Sequence, residues 1–307
     1  MKHSIKITFV LLAMFLLTQF IGIFVVSQYA PQTIHVTTPE GEIINATSYN
    51  LPYGMDPPQD ISPRSTLVSI IFAITIAVFI MFLLMKYNAE IFLRVWFFIV
   101  VTLAIGITFN SLLFNLIPYP SILALILALP LAILKIFKRN LLVHNITELL
   151  IYPGIAAIFV PLLNIWTVII LLILISLYDM YAVWHSGFMQ KMAKYQIEKL
   201  KVFGGFFVPY LGKKERQMLK QTPKSKLKEK KIKVNVAILG GGDVVFPIIL
   251  AGVVLRSLGL IPALIVSFGA ALALAVLFYI SEKGKFYPAM PFITAGCFLG
   301  LVIAYLI

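Results

Sequence analysis

Four aspartates occur in the chain, and two of them, Asp179 and Asp243, lie inside apolar runs long enough to cross a bilayer. The other two, Asp56 and Asp60, fall in a polar stretch that leaves them in water. A carboxylate inside a membrane is costly to maintain, so its presence there points to function. The first stands in Leu171-Leu-Ile-Leu-Ile-Ser-Leu-Tyr178-Asp179-Met180-Tyr181 and the second in Ala237-Ile-Leu-Gly240-Gly241-Gly242-Asp243-Val-Val-Phe-Pro247. Two carboxylates brought together in low dielectric cannot both ionise cheaply, so they share one proton and act as acid and base at once. Such a pair can activate water against a peptide carbonyl. A proton or cation site is the other chemistry open to it.

The elements that position these acids are membrane helices. With 61% hydrophobic and 12% charged residues over 307 positions, and a mean hydropathy of +0.99, the chain is too apolar for a soluble domain and reads as an all-α, polytopic membrane protein. Apolar runs fall at about 7–26, 66–86, 91–112, 119–137, 146–163, 165–184, 234–255, 259–281 and 287–307, which makes nine helices. The first run is too long for the core of a signal peptide and reads as a retained helix. The single cysteine, Cys297, offers neither a disulfide framework nor a metal cluster, and no metal or cofactor is expected.

Charge sets the orientation. Of the 25 Lys and Arg residues, 14 fall between His185 and Lys233, which places that stretch in the cytoplasm rather than on nucleic acid. Breaks between the earlier runs alternate between basic and uncharged: Lys86 and Arg94 mark one, Lys135, Lys138 and Arg139 another, with uncharged 115–120 and 161–164 between. The amino terminus is then cytoplasmic and the carboxyl terminus extracytoplasmic. Apart from Arg64 in the 28–65 loop, Arg256 is the basic residue this scheme puts outside, where its long side chain reaches the headgroups. His144 and His185 fall at membrane ends and read as interfacial.

Three segments follow: residues 1–187, a six-helix bundle with an extracytoplasmic loop at 28–65; residues 188–233, an amphipathic cytoplasmic extension at 188–203 and a charged linker at 213–231; and residues 234–307, the last three helices. The loop carries Asn45-Ala46-Thr47, a short glycosylation pattern. Helical rise puts Asp179 roughly 9 Å above the His185 end of its run and Asp243 roughly 15 Å above Lys233, so the two can face each other from the sixth and seventh helices. Gly240, Gly241 and Gly242 could serve only close helix packing. Directly before a buried aspartate, they also give a backbone without side chains that admits an extended substrate strand, and Pro247 removes a hydrogen-bond donor one turn later.

These residues also carry a resemblance. Tyr178-Asp179 and Gly240-Gly241-Gly242-Asp243 resemble the Tyr-Asp and Gly-x-Gly-Asp signatures of the presenilin and signal peptide peptidase family, the intramembrane aspartyl proteases. Pro288-Ala289-Met290-Pro291, at the start of the ninth run, is similar to the family's Pro-Ala-Leu, with methionine in place of leucine. The resemblance implies a presenilin-like fold, Asp179 and Asp243 as catalytic residues, and supporting or substrate-binding roles for Tyr178, Gly240, Gly241, Gly242, Pro288, Ala289 and Met290. It implies no cofactor, and transmembrane-helix proteins in the lipid bilayer as substrates. A cytoplasmic 185–233 stretch selects the presenilin orientation within that family, for which substrates have their amino ends outside, and the compact loops are most like an archaeal homologue. No feature demands an accessory subunit, and a homo-oligomer is compatible with the sequence. The alternatives are a prepilin or preflagellin peptidase, which lacks the Pro-Ala-Leu element, and a transporter or leak channel using the same two aspartates, for which no inverted repeat is evident.

Overall fold

A computed structural model describes residues 5–37, 43–55, 57, 63–114, 116–138, 140–186, 195, 204–210, 235–282 and 287–307. The expected extension at 188–203, apart from residue 195, and the linker at 213–231 lie outside the described residues. Nine long apolar helices run through the rest: α1 Ile5–Gln28, α2 Pro63–Lys86, α3 Glu90–Leu113, α4 Pro120–Phe137, α5 Leu141–Phe159, α6 Ile165–Tyr181, α7 Gly241–Leu258, α8 Leu260–Ile280 and α9 Met290–Leu306. Eight of them are long and apolar enough to cross a membrane, and α9, at 17 residues, is the short one. At 1.5 Å per residue it is about 26 Å long, near the lower limit for a span.

Local chemistry sets the helix ends. Asn164 opens α6 with a capping box, its side chain accepting from Thr167 N–H at 2.9 Å while its own N–H donates to Thr167 Oγ1 at 2.8 Å. Asn140 caps α5 by accepting from Leu142 N–H at 2.9 Å, so α5 begins at Leu141 rather than near residue 146. The polar His144, Asn145 and Glu148 hide that first turn from a hydropathy reading. Gly259, at φ +98°, turns the chain from α7 directly into α8.

α1 is central, packing on α5, α7 and α8; α3 pairs with α4, and α8 with α9. α6 packs against α7 and α9 on one side and lightly against α2 on the other. One core cluster draws residues from both sides of the 188–233 stretch, among them Phe15, Ile105, Leu172, Ile248, Leu274 and Ile293.

Four strands depart from an all-helical reading. In the 28–65 loop, β1 (Gln32–Thr37) pairs antiparallel with β2 (Ile43–Ser48), followed by a 3-10 turn at Pro52–Gly54. More consequential is a second antiparallel pair, β3 (Gly205–Tyr210) and β4 (Asn235–Gly240), with Gly205 opposite Gly240. The seventh apolar run is therefore not one helix from 234. Its first part is a strand whose Ala237 and Leu239 point into the core while Val236 and Ile238 are exposed. The depth of Asp243, reckoned at a helical rise, is corrected accordingly, because Asn235–Gly240 rises about 3.3 Å per residue.

Two further expectations change. Lys135 does not mark a solvated break; it is buried beside Glu148. Arg256 turns inward from the headgroups, donating to Val160 O at 2.7 Å and Tyr49 Oη at 2.9 Å, and its guanidinium lies over the Tyr49 ring. The planar fork of the guanidinium lets its two terminal nitrogens reach a carbonyl and a phenol at once.

Candidate active site

Asp179 sits in the last full turn of α6, buried at 6% exposure. A π-helical turn, Ala182–Ser186, follows it directly, a local widening that frequently marks functional positions. Asp243 occupies the first turn of α7, partly buried. α6 packs on α7, and the two carboxylates lie within electrostatic reach of one another.

The start of α9 completes the pocket. Met290 N–H donates to Asp179 Oδ2 at 3.1 Å, and Ala289 N–H binds the same carboxylate. A helix amino terminus has unpaired N–H groups and a positive dipole end, so it is a natural seat for a carboxylate. Pro288 is buried beside it, and Pro291 opens the helix where a missing N–H costs nothing. One turn from the acid, Ser176 and Thr294 hydroxyls hydrogen-bond at 2.8 Å and tie α6 to α9 again. Two of the three residues singled out for their likeness to Pro-Ala-Leu, Ala289 and Met290, thus touch Asp179 through backbone N–H groups, which any side chain of suitable size could provide, whereas Pro288 has no N–H to offer.

Around Asp243 the glycines form the joint between strand and helix. Gly240 has extended backbone, its N–H bonds the Asp243 carboxylate, and a Cβ on it would meet Asp243 Oδ2 at 3.0 Å. A Cβ on Gly241 would meet the Tyr152 hydroxyl at 2.8 Å, whereas Gly242 is exposed, with only Phe246 near it. A Cβ at Gly241 would thus displace the Tyr152 ring, one at Gly240 would crowd the Asp243 carboxylate itself, and one at Gly242 has room. Pro247 cannot donate to the Asp243 carbonyl, and Gln19 of α1 reaches across to the next one, donating to Val244 O at 3.1 Å.

Tyr178 does not join the acids. It is 46% exposed and faces an apolar cleft of about 400 Å³ between α2 and α6, lined also by Ile71, Ile74, Val78, Leu171 and Leu174. His144 was expected at the interface; it belongs instead to a buried polar group with Lys135 and Glu148. Sequence reasoning missed that group because its members lie on two helices and look like ordinary flanking charges.

Two crystal structures of a presenilin family intramembrane aspartate protease, in C222 and P2 forms, are similar to the chain. The first has 20% identity and a TM-score of 0.57, covering 95% of this chain and 94% of that one. The second has 20% identity and a TM-score of 0.58, covering 96% of each. At that identity they speak to the fold. No curated protein matches the chain. The family model described as signal-peptide peptidase, presenilin aspartyl protease matches residues 45–307. With Asp179 and Asp243 both inside that span, the chain belongs to this family and is a multi-pass membrane protein acting as an intramembrane aspartyl protease.

Proposed function

We propose that Asp179 and Asp243 are the catalytic pair, hydrolysing peptide bonds within transmembrane helices of membrane-protein substrates by activating a water between them. The observation that carries this is the seat of Asp179: its carboxylate is held by the Ala289 and Met290 N–H groups at the start of α9, within reach of Asp243. One partner comes from residues 1–187 and the other from 234–307, and the 188–233 segment joins them.

The surroundings suit a helical substrate that must be unwound. The α2–α6 cleft is apolar and adjoins the turn that carries Asp179, so a lipid-borne helix can rest there without desolvating charge. Gly240 to Gly242 and the β3–β4 sheet suit the extended conformation a scissile bond needs. The outer edge of β3 is occupied by Asn145, which leaves the outer edge of β4 to a substrate strand. Tyr178, Pro288, Ala289 and Met290 form the wall, with Tyr178 on the cleft side. No metal or cofactor is needed for this chemistry.

A bulky side chain at Ala289 tests the wall. Ala289 is half-buried and its N–H points at Asp179, so Ala289→Trp moves the end of α9 away from the acid. Turnover of a reconstituted transmembrane peptide should fall by about tenfold to a hundredfold, the cost of misplacing a reacting group by about 1 Å, with helical content unchanged. Full turnover by the folded variant would reduce this segment to a helix start.

The orientation we infer is amino terminus inside and carboxyl terminus outside, supported by the basic residues of 185–233. Substrates would then present their amino ends outside. A cysteine introduced in the 213–231 linker should resist an impermeant thiol reagent in intact cells, and one at Glu42 should be labelled. Cys297 is fully buried, so it adds little background. Reversed labelling would invert the enzyme and its substrates together.

A further inference from the structure

The acid at the start of α7 is placed by what lies before it in the chain. β4 runs straight into Gly241, and β4 is held by β3: Gly205 faces Gly240, and Gly241 N–H donates to Gly204 O at 3.1 Å. What holds β3 therefore sets where Asp243 stands.

α5 holds β3, with three consecutive kinds of contact. The Asn145 amide clasps one residue of the strand at both backbone groups, Nδ2 donating to Phe207 O at 2.8 Å and Oδ1 accepting from Phe207 N–H at 3.0 Å. This is the bonding another strand would supply. His144 Nε2 bonds Gly205 O at 2.7 Å, and its ring stacks on Phe207 with centroids 4.8 Å apart. Two turns along, the Tyr152 ring packs edge-on against Phe206 while its hydroxyl lies against Gly241.

A carbonyl only accepts, so the bond to Gly205 puts a hydrogen on His144 Nε2 and leaves Nδ1 of the neutral ring as an acceptor. Lys135 meets that nitrogen at 3.3 Å and donates to Glu148 Oε1 at 2.5 Å. The lysine and glutamate side chains are 3% and 1% exposed. A buried ion pair is weak as a source of stability, because desolvation offsets much of the attraction. It is effective at fixing a geometry, and here it fixes which ring nitrogen of His144 faces the strand.

We propose that His144 and Asn145, locked by the buried Lys135–Glu148 pair, are positioning residues for Asp243, acting through the β3–β4 sheet. The inference rests on Asp243 being catalytic. Neither residue touches the reacting atoms; each acts on where the carboxylate is presented.

The test uses the full-length protein in proteoliposomes with a transmembrane peptide substrate. Asn145→Asp keeps the shape but, ionised, cannot donate to Phe207 O; His144→Phe keeps the stack and loses the bond to Gly205. Each should lower kcat by about tenfold to a hundredfold with KM within about twofold. Affinity for a peptide hydroxyethylene isostere, which mimics the tetrahedral intermediate, should fall in step with kcat. His144→Gln, whose amide can still reach the carbonyl, should recover most of the activity. Unchanged kcat in the folded variants overturns the proposal. So does failure of His144→Gln to restore anything, or loss of fold in both Asn145→Asp and His144→Phe, since either makes the role purely structural. Asp243→Asn serves as the reference: if it still cleaves, the catalytic reading fails, whereas a dead Asp243→Asn beside fully active His144 and Asn145 variants fails this inference alone.

Discussion

Asp179→Asn and Asp243→Asn should each give a folded, membrane-embedded protein that no longer cleaves a transmembrane peptide. Asparagine has nearly the size and shape of aspartate but can neither take a proton from water nor give one to the leaving amine. Positioned acid–base groups contribute typically about 10²–10⁴ in rate, and a pair that works as one unit loses most of it when either member is gone. The fold should survive, because the seat of Asp179 consists of backbone N–H groups that an amide oxygen still satisfies. Removing one of two neighbouring carboxylates also relieves a repulsion in low dielectric. For the parent enzyme the same logic gives a bell-shaped dependence of kcat/KM on pH. Activity belongs to the singly protonated pair and is lost when both acids are protonated or both ionised, with apparent pKa values that describe the pair and not either residue. Cleavage and ion flux should be followed in the same proteoliposomes. A folded Asn variant that cleaves at an appreciable fraction of the parent rate would remove the assignment of these two residues, and flux abolished in its place would turn them into an ion site.

The acids themselves were legible because a membrane punishes them: an aspartate set inside a long apolar run has few reasons to exist apart from chemistry. The helix count and order were legible for the same reason, since hydropathy over a span is a long, redundant signal. The strands were not. Val236, Ala237, Ile238 and Leu239 alternate in burial but are all apolar in sequence, they abut the apolar start of α7 without a break, and a short apolar run cannot be told from a helix by periodicity alone. Its partner, Gly205–Tyr210, is six residues in a stretch dominated by lysine. The polar group at Lys135, His144 and Glu148 was hidden for a different reason. Lys135 stands beside Lys138 and Arg139 and looks like a flanking charge, and only the packing of α4 against α5 brings it onto Glu148. Arg256 needed a phenol 207 positions away, a pairing no local pattern announces. What sequence conveys well in this protein is cost, the presence of a group where it should not be. What it conveys poorly is the partner that makes the cost tolerable.

Gly296→Leu should damage both stability and catalysis, and more severely than a single surface-facing change in any of these helices. α8 and α9 approach so closely that a Cβ built on Gly296 would lie 2.4 Å from the Gly269 carbonyl oxygen and 2.5 Å from the Ala273 Cβ. On the facing helix, a Cβ on Gly269 would lie 2.4 Å from Gly296 O, and further along α9 itself a Cβ on Gly300 would lie 2.8 Å from Val266 Cα. Small residues that let two backbones touch are how membrane helices associate without a hydrophobic driving force. The obstacles here are backbone atoms, which cannot rotate aside, so the helices themselves must separate. Overpacking of this kind costs typically about 1–3 kcal/mol, occasionally more. The catalytic effect should exceed that of partial unfolding, because Gly296 lies six residues, about 9 Å along the helix, from the Met290 N–H that holds Asp179. The Ser176–Thr294 bond lies between them. Displacing α9 therefore withdraws the seat of the acid even in molecules that remain folded. Gly296→Ala should show the same two effects to a lesser degree, since even one methyl meets the Gly269 carbonyl. Thermal unfolding in detergent, read beside the specific activity of the folded fraction, separates the two effects. A Gly296→Leu protein that melted with the parent and kept its specific activity would mean that α8 and α9 do not make this close contact, and that the hold on Asp179 does not depend on it.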